Sequence, residues 1–162
     1  MCINKMECVI DCDEIKESNI IFKLPIRNQN TKYSNFYKIL YSTSNMSMKY
    51  ILISTSKIKC MIEEGQARYN VIVEQNDEAV KSLCKIETMI LEAINNKLNK
   101  NIVLNLTKDI REKPYLYSFP QYPSIKHLLI KISGVWESSD TIGLVYKFTY
   151  NTSTEKLSSM IC

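Results

Sequence analysis

Two alternating stretches near the end of the chain, residues 128–136 and 142–150, constrain its fold more than any other part of the sequence. Successive side chains of a β-strand point to opposite faces, so residues two apart share a face. In the first stretch the residues that share a face are Leu128, Ile130, Ile132, Gly134 and Trp136. In the second stretch they are Ile142, Leu144, Tyr146, Phe148 and Tyr150. Residues 137–140 are polar and favour a turn, so the sequence predicts a β-hairpin.

The single tryptophan, Trp136, lies in the first arm of this predicted hairpin. Strand alternation makes its face continuous with Ile130 and Ile132, which are apolar. Aromatic side chains at strand spacing are usually core residues or members of cross-strand pairs. We therefore predict that Trp136 is a structural residue of the core.

The length of 162 residues predicts one domain, residues 1–162, in which residues 1–18 and 152–162 are peripheral. With 45% hydrophobic and 23% charged residues the chain resembles an ordinary globular protein. Its apolar runs are much shorter than the roughly 18 to 20 residues of a membrane-spanning helix. The first residues lack the apolar region of a secretory signal. We expect an intracellular protein, in the cytoplasm or nucleus of a host cell, that is neither secreted nor membrane-bound.

The rest of the chain predicts a β-rich opening, one long helix and a β-rich close. Strand candidates are residues 8–12, 20–24, 36–42, 50–54, 58–62, 69–74 and 102–106. We expect residues 36–42 to pair with 50–54. We also expect residues 58–62 to pair with 69–74, across a turn where Gly65 permits a positive φ. The predicted fold is α+β: a mostly antiparallel sheet or partly open OB-like barrel with one long helix packed on it.

The helix is predicted over residues 77–98, with Asn76 or Asp77 as its N-cap. Its apolar stripe consists of Val80, Leu83, Cys84, Ile90, Leu91, Ile94 and Leu98. Glu87 projects from the middle of this stripe, where an unpaired carboxylate would cost several kcal/mol. We expect Glu87 to be structural, bonded to a lysine, an arginine or a tyrosine hydroxyl. A wet pocket and a catalytic carboxylate are the alternatives.

Residues 23–59 combine basic and aromatic side chains and contain no acidic residue. Cations that follow phosphates and rings that stack on bases are typical of proteins that bind single-stranded nucleic acid. The predicted phosphate contacts are Lys23, Arg27, Lys32, Lys38 and Lys49. The stacking candidates are Tyr33, Phe36, Tyr37 and Tyr41, which strand alternation prevents from sharing one face. Core packing of the aromatics and a solvated row of lysines is the alternative. The net charge of +4 permits a polyanionic partner without requiring one.

A second aromatic segment, residues 114–123, contains three prolines. The prolines exclude a regular helix or a central strand, so we expect an extended loop. Its rings, Tyr115, Tyr117, Phe119 and Tyr122, either pack on the core or contact a partner protein. The alternative function is accordingly a protein–protein interaction module, either a viral factor that acts on a host protein or a subunit of an assembly.

The sequence contains no phosphate-binding glycine loop and no nucleophile elbow. Its only histidine, His127, leaves one base for any Ser–His or Cys–His pair. A metal site formed by Cys2, Cys8, Cys12 and His127 lacks the spacing of a zinc signature. We therefore predict a protein that is not an enzyme and needs no cofactor and no metal.

Four segments resemble a group of small proteins carried by insect-associated large DNA viruses and by Maverick (polinton) elements. Residues 131–137 (KISGVWE) and 142–148 (IGLVYKF) resemble the close of these proteins, and residues 36–42 (FYKILYS) and 85–91 (KIETMIL) are similar to earlier segments. The resemblance implies a replication accessory protein that binds single-stranded DNA, and it supplies no catalytic residues. Sequence-tolerant binding of single-stranded DNA is therefore the leading hypothesis. It leaves open whether RNA is also bound and whether the chain forms a homo-oligomer.

Overall fold

The computed structural model describes residues 8–27, 35–54, 60–73, 77–123 and 125–152. The strands of the larger sheet are β1 Ile10–Asp11, β2 Ile20–Phe22, β3 Ile26–Arg27, β4 Asn35–Ser42, β5 Ser47–Met48, β6 Ile51–Ser54, β9 Asn101–Val103, β11 Ile125–Glu137 and β12 Thr141–Thr152. A smaller sheet contains β7 Cys60–Glu64, β8 Tyr69–Val73 and β10 Tyr117–Phe119. The helices are α1 Asp77–Leu98 and α2 Asn105–Glu112, with short 3-10 helices at Cys12–Glu14 and Glu17–Asn19.

Strand β11 is the centre of the larger sheet. It pairs with β12 along one edge, and its other edge is divided between β6 and β4. These pairings are antiparallel, whereas β1 pairs with β6 and β9 pairs with β12 in parallel. The fold is therefore α+β with a mostly antiparallel sheet, as the sequence predicts. The pairings of the described strands do not close this sheet into a barrel.

The predicted hairpin is present as β11 and β12, which pair antiparallel from Ile125 to Thr152. Its register shifts by one residue between Ile132 and Gly134. Such a bulge moves every later side chain to the other face of the sheet. Val135 instead of Trp136 therefore continues the buried face of Ile132. The prediction that Trp136 belongs to the core is wrong, because alternation alone does not reveal the bulge.

Helix α1 covers one face of the sheet, which we call the helix face. Its bounds match the prediction, and its most buried side chains include Leu83, Ile90 and Leu91. The sheet residues buried with them are Ile39, Ile51, Ile53, Ile130, Ile132, Val135, Ile142 and Leu144. Burial of each such side chain contributes about 1.5–3 kcal/mol to folding. The helix face is therefore the main source of stability.

A second helix, α2, was not predicted, and it explains Glu87. The Glu87 side chain is 0% exposed and accepts hydrogen bonds from the backbone N–H groups of Leu106 and Thr107, each at 2.8 Å. The Thr107 hydroxyl donates a third bond at 2.7 Å. A carboxylate at the N-terminus of a helix pairs with its unbonded amides and with its dipole. Glu87 therefore joins α1 to α2, and its partners are not the lysine, arginine or tyrosine that we expected.

The strand order differs from the prediction near residue 50. We expected β4 to pair with β6, but β4 pairs with the two-residue strand β5. β6 pairs with β11 and β1. The predicted hairpin of β7 and β8 is present, with a turn bond from the Gly65 N–H to the Arg68 carbonyl at 2.8 Å. Gly65 does not adopt the positive φ that we expected.

Candidate functional site

The face of the larger sheet opposite α1 carries aromatic and basic side chains. Trp136 pairs in register with Phe36 on one side and with Gly143 on the other, so these three residues share that face. Their chain neighbours Val135, Ile142 and Leu144 are buried on the helix face. We call the opposite surface the aromatic face, and we define it by Phe36, Lys38, Lys131, Gly134, Trp136, Gly143, Val145 and Lys147.

Both large rings of the aromatic face lie over glycines. A Cβ at Gly134 would be 2.5 Å from Cε2 of Phe36, and a Cβ at Gly143 would be 2.4 Å from Cζ2 of Trp136. Each ring therefore occupies the space of a missing side chain on the neighbouring strand. Both rings remain partly exposed. The two glycines in the hairpin sequence were a signal of this close approach.

The aromatic face carries an excess of positive charge. Lys38 and Lys131 are partly exposed, and Lys147 is exposed. The Lys131 ammonium lies 3.6 Å from the centre of the Tyr50 ring. Strands β4 and β12 contain no acidic residue, and the only one in β11 is Glu137. Lys131 and Lys147 were not among the predicted contacts, because they lie outside the basic and aromatic stretch at residues 23–59.

The residues that the sequence assigned to nucleic-acid binding do not all lie on one surface. Phe36 and Lys38 lie on the aromatic face, where they pair with Trp136 and Gly134. The other described cations are exposed. Lys23 lies next to Lys38, whose carbonyl accepts its backbone N–H at 2.9 Å, Arg27 of β3 pairs with Asn35, and Lys49 lies between β5 and β6. Lys32 and Tyr33 lie outside the described residues.

Tyr37 and Tyr41 point to the helix face, which corrects their assignment as stacking residues. Tyr41 is 2% exposed, and its hydroxyl accepts bonds from the Lys16 N–H at 3.3 Å and from Nδ2 of Asn19 at 3.2 Å. Tyr37 packs against the core and donates its hydroxyl to Glu137 at 3.0 Å. Because residues 36, 38 and 40 alternate with residues 37, 39 and 41, only one of the two sets can face outward.

Glu137 is the last residue of β11, and its side chain lies on the helix face. Its carboxylate accepts bonds from Asn35 at 2.7 Å and from Tyr37, and it lies 3.4 Å from Nζ of Lys100. Desolvation raises the pKa of Glu137, but the bonds from Asn35, Tyr37 and Lys100 outweigh it and hold the pKa below its ordinary value. Burial, with the neighbouring Glu137, raises the pKa of Tyr37. The cluster is a satisfied structural network that fixes β4 against β11.

A cleft of 450 Å³ borders the aromatic face where β12 extends beyond β9. Asn105 lines it and bonds the backbone of Leu144 twice, each time at 2.9 Å. Asp109 lines it as well, and it pairs with Lys113 and accepts a bond from the Tyr146 hydroxyl. Burial and the Asp109 carboxylate raise the pKa of Tyr146 far above its usual range. These groups bind one another and hold α2 at the edge of the sheet.

The proline-rich segment is partly a strand, in place of the extended loop that we expected. Tyr117 and Phe119 belong to β10, an edge strand that pairs with β8, and their ring centres are 6.0 Å apart. Tyr115 is exposed, as is Tyr122, whose ring contacts the edge of Tyr69 at 5.5 Å. The segment therefore divides its rings between sheet packing and the surface.

The described part of the chain was searched for groups of metal ligands and for membrane-spanning helices. Within residues 8–27, 35–54, 60–73, 77–123 and 125–152, no three His, Cys, Asp or Glu side chains are grouped as metal ligands. No helix in the same ranges has the length and apolarity needed to cross a membrane. Comparison of the chain with protein-family models, with curated proteins and with solved structures finds no match.

Proposed function

We propose that this protein binds single-stranded DNA without sequence preference and without catalysis, through the aromatic face. The observation that carries the proposal is the combination of two partly exposed rings, Phe36 and Trp136, with three lysines on one sheet surface. Every base has a ring face, so stacking on aromatics tolerates any sequence. Lysines beside the rings suit the phosphates that connect the bases.

The charge distribution supports this ligand over an apolar one. Lys38, Lys131 and Lys147 belong to three adjacent strands, β4, β11 and β12. The carboxylate of Glu137 lies on the opposite face, where Asn35 and Lys100 bind it. A polyanion therefore meets cations on the aromatic face without an acidic strand residue to repel it.

The resemblance to viral and Maverick-type proteins supports the biological part of the proposal, a viral or virus-derived replication accessory protein inside a host cell. We also propose a partly open OB-like arrangement for this mostly antiparallel sheet, because such folds bind single strands on a sheet face.

The test is a titration of a fluorescently labelled single-stranded oligonucleotide at low salt, followed by anisotropy. The proposal predicts saturable binding, and log K that falls linearly with log salt by about 0.7 per neutralised phosphate. Unlabelled single strands of unrelated sequence should compete equally, and duplex DNA should compete poorly. Absence of binding at low salt would refute the proposed function.

A protein–protein interaction module is the second candidate, and exposed apolar side chains favour it. Leu24 is 87% exposed, and Ile21 and Ile26 beside it are also exposed, as is Tyr122 in the proline-rich segment. Exposed apolar clusters of this kind mark protein contacts. If a second copy covers these side chains, sedimentation shows a dimer that Leu24→Glu dissociates. A monomer at all concentrations would remove self-association from this alternative.

A further inference from the structure

We propose that Phe36 and Trp136 form a two-base platform, in which each ring stacks on one unpaired base of neighbouring nucleotides. This inference rests on the proposed function and names the residues that stack on the bases. Phe36 and Trp136 take the stacking role that the sequence analysis gave to tyrosines, because Tyr37 and Tyr41 face α1.

The rings are positioned before any ligand arrives. Phe36 Cε2 and Cζ would be 2.5 and 2.7 Å from a Cβ at Gly134, and Trp136 Cζ2 and Cε2 would be 2.4 and 2.6 Å from a Cβ at Gly143. Only glycine leaves room for rings so close to the backbone. Rings settled against a paired sheet lose little conformational freedom on binding, which favours affinity.

The distance between the two glycines favours a nucleic-acid strand whose bases are unstacked. Gly134 pairs with Val145, and Gly143 pairs with Trp136, so the glycines are diagonal neighbours across β11 and β12. Diagonal neighbours of an antiparallel pair lie about 7–8 Å apart. Bases stacked in a duplex are about 3.4 Å apart, roughly half that distance. Adjacent bases reach both rings only when the strand is unpaired and unstacked, which favours single strands over duplex.

The lysines of the face lie where the connecting phosphates would run. Lys38 follows Phe36 by two residues on the same strand and face, about 7 Å along β4. Lys147 follows Gly143 by four residues on the face that carries Trp136, about 14 Å along β12. Both lysines therefore lie on the same side of the row formed by Phe36, Trp136 and Gly143, along one flank of a strand that crosses the platform. A ring pair that only covered two glycines would not require this arrangement.

The sole tryptophan of the chain is in the platform, so its fluorescence reports the site without a label. Addition of an unlabelled oligonucleotide to the wild-type protein should quench Trp136 emission, with the same midpoint as the anisotropy titration. The variants Phe36→Leu and Trp136→Leu keep an apolar cover over the glycines and remove the ring. Each should weaken binding about 5- to 140-fold. Thr149→Ala, a partly exposed position on the same side of β12, should bind within about twofold of wild type.

Different results would contradict the proposed binding of single-stranded DNA and the proposed platform of Phe36 and Trp136. If the labelled oligonucleotide binds with the expected salt dependence but Trp136 emission does not change at saturation, the platform is wrong and the proposed function stands. Equal affinity of Phe36→Leu, Trp136→Leu and wild type would also overturn the platform. If wild type binds no oligonucleotide, the proposed function fails and the platform with it. Thermal unfolding of each variant verifies that it is folded.

Discussion

The indole of Trp136 lies over Gly143, its direct partner on the neighbouring strand. The side chain that alternation assigned to the core is therefore on the opposite surface, where it closes the gap that glycine leaves. The bulge between Ile132 and Gly134 is the cause, because it reverses the faces of all later residues of β11. Because the faces are reversed, Val135 lies under α1 and Trp136 lies on the surface that carries the lysines.

Gly143→Ala tests the contact between the indole and the backbone. The new methyl group would be 2.4 Å from Trp136 Cζ2, so the ring must move. We expect the free energy of unfolding to fall by about 1–3 kcal/mol and the tryptophan emission maximum to shift. Gly65→Ala is the matched control, because its Cβ would lie 3.0 Å from the Arg68 carbonyl oxygen and 3.6 Å from Nδ2 of Asn70, at the turn of the smaller sheet and not beside Trp136. An unchanged emission spectrum in Gly143→Ala would contradict the contact.

Glu87→Ala tests the connection between α1 and α2. It leaves the N–H groups of Leu106 and Thr107 without their acceptor in a buried site. We expect a loss of about 3–5 kcal/mol in urea denaturation, and faster hydrogen exchange of these two amides. Glu87→Gln, which retains one acceptor oxygen, should lose less. Glu92→Ala on the exposed side of α1 should change stability by less than about 0.5 kcal/mol. Equal stability of the two alanine variants would rule out the cap.

The fold could be predicted where local pattern and tertiary structure agree. The period-two pattern of residues 128–150 predicted the β11–β12 hairpin, and the apolar stripe with its N-cap candidates predicted α1 from Asp77 to Leu98. Helix α2 escaped prediction for a physical reason. It has eight residues, and Leu104 at its N-cap makes no side-chain cap bond. Its cap is Glu87, 19 residues before Leu106, so the signal is tertiary.

The candidate site was predictable only in part. Phe36 and Lys38 were identified because they belong to a basic and aromatic stretch, and they share the outer face. Lys147 was missed although the alternation of β12 places it opposite the core, because it is the only charged residue of its strand and lies outside the basic and aromatic stretch. Trp136 was assigned to the wrong face because a one-residue bulge leaves no mark in an alternating pattern.

Glu137 predicts a specific dependence of stability on pH. Its folded pKa lies below the ordinary value of 4.5, so it contributes stability that is complete above that value and is lost as pH falls through the folded pKa. Glu137→Gln should be less stable than wild type at pH 7, and the difference should shrink as pH falls below about 4.5. Glu112→Gln, an exposed position, is the control. A wild-type advantage that stayed constant from pH 7 to pH 3 would contradict this role.

The lysines of the aromatic face predict the salt dependence of binding. Lys38→Gln and Lys147→Gln should each lower the slope of log K against log salt by about 0.7, because each removes one phosphate contact. Lys81→Gln, on the exposed side of α1, should leave the slope unchanged. If the Lys81 variant alters the slope as much as the Lys147 variant, the charge of the whole protein, rather than this face, governs binding.

The most direct test of the aromatic face as the binding surface is photo-crosslinking. A single-stranded oligonucleotide with halogenated uracil is irradiated with the protein at low salt, and the linked peptides are identified by mass spectrometry. We expect crosslinks at Phe36 and Trp136, which disappear when unmodified single strand competes. Crosslinks confined to Tyr115 and Tyr122, or none at these four rings, would contradict this expectation.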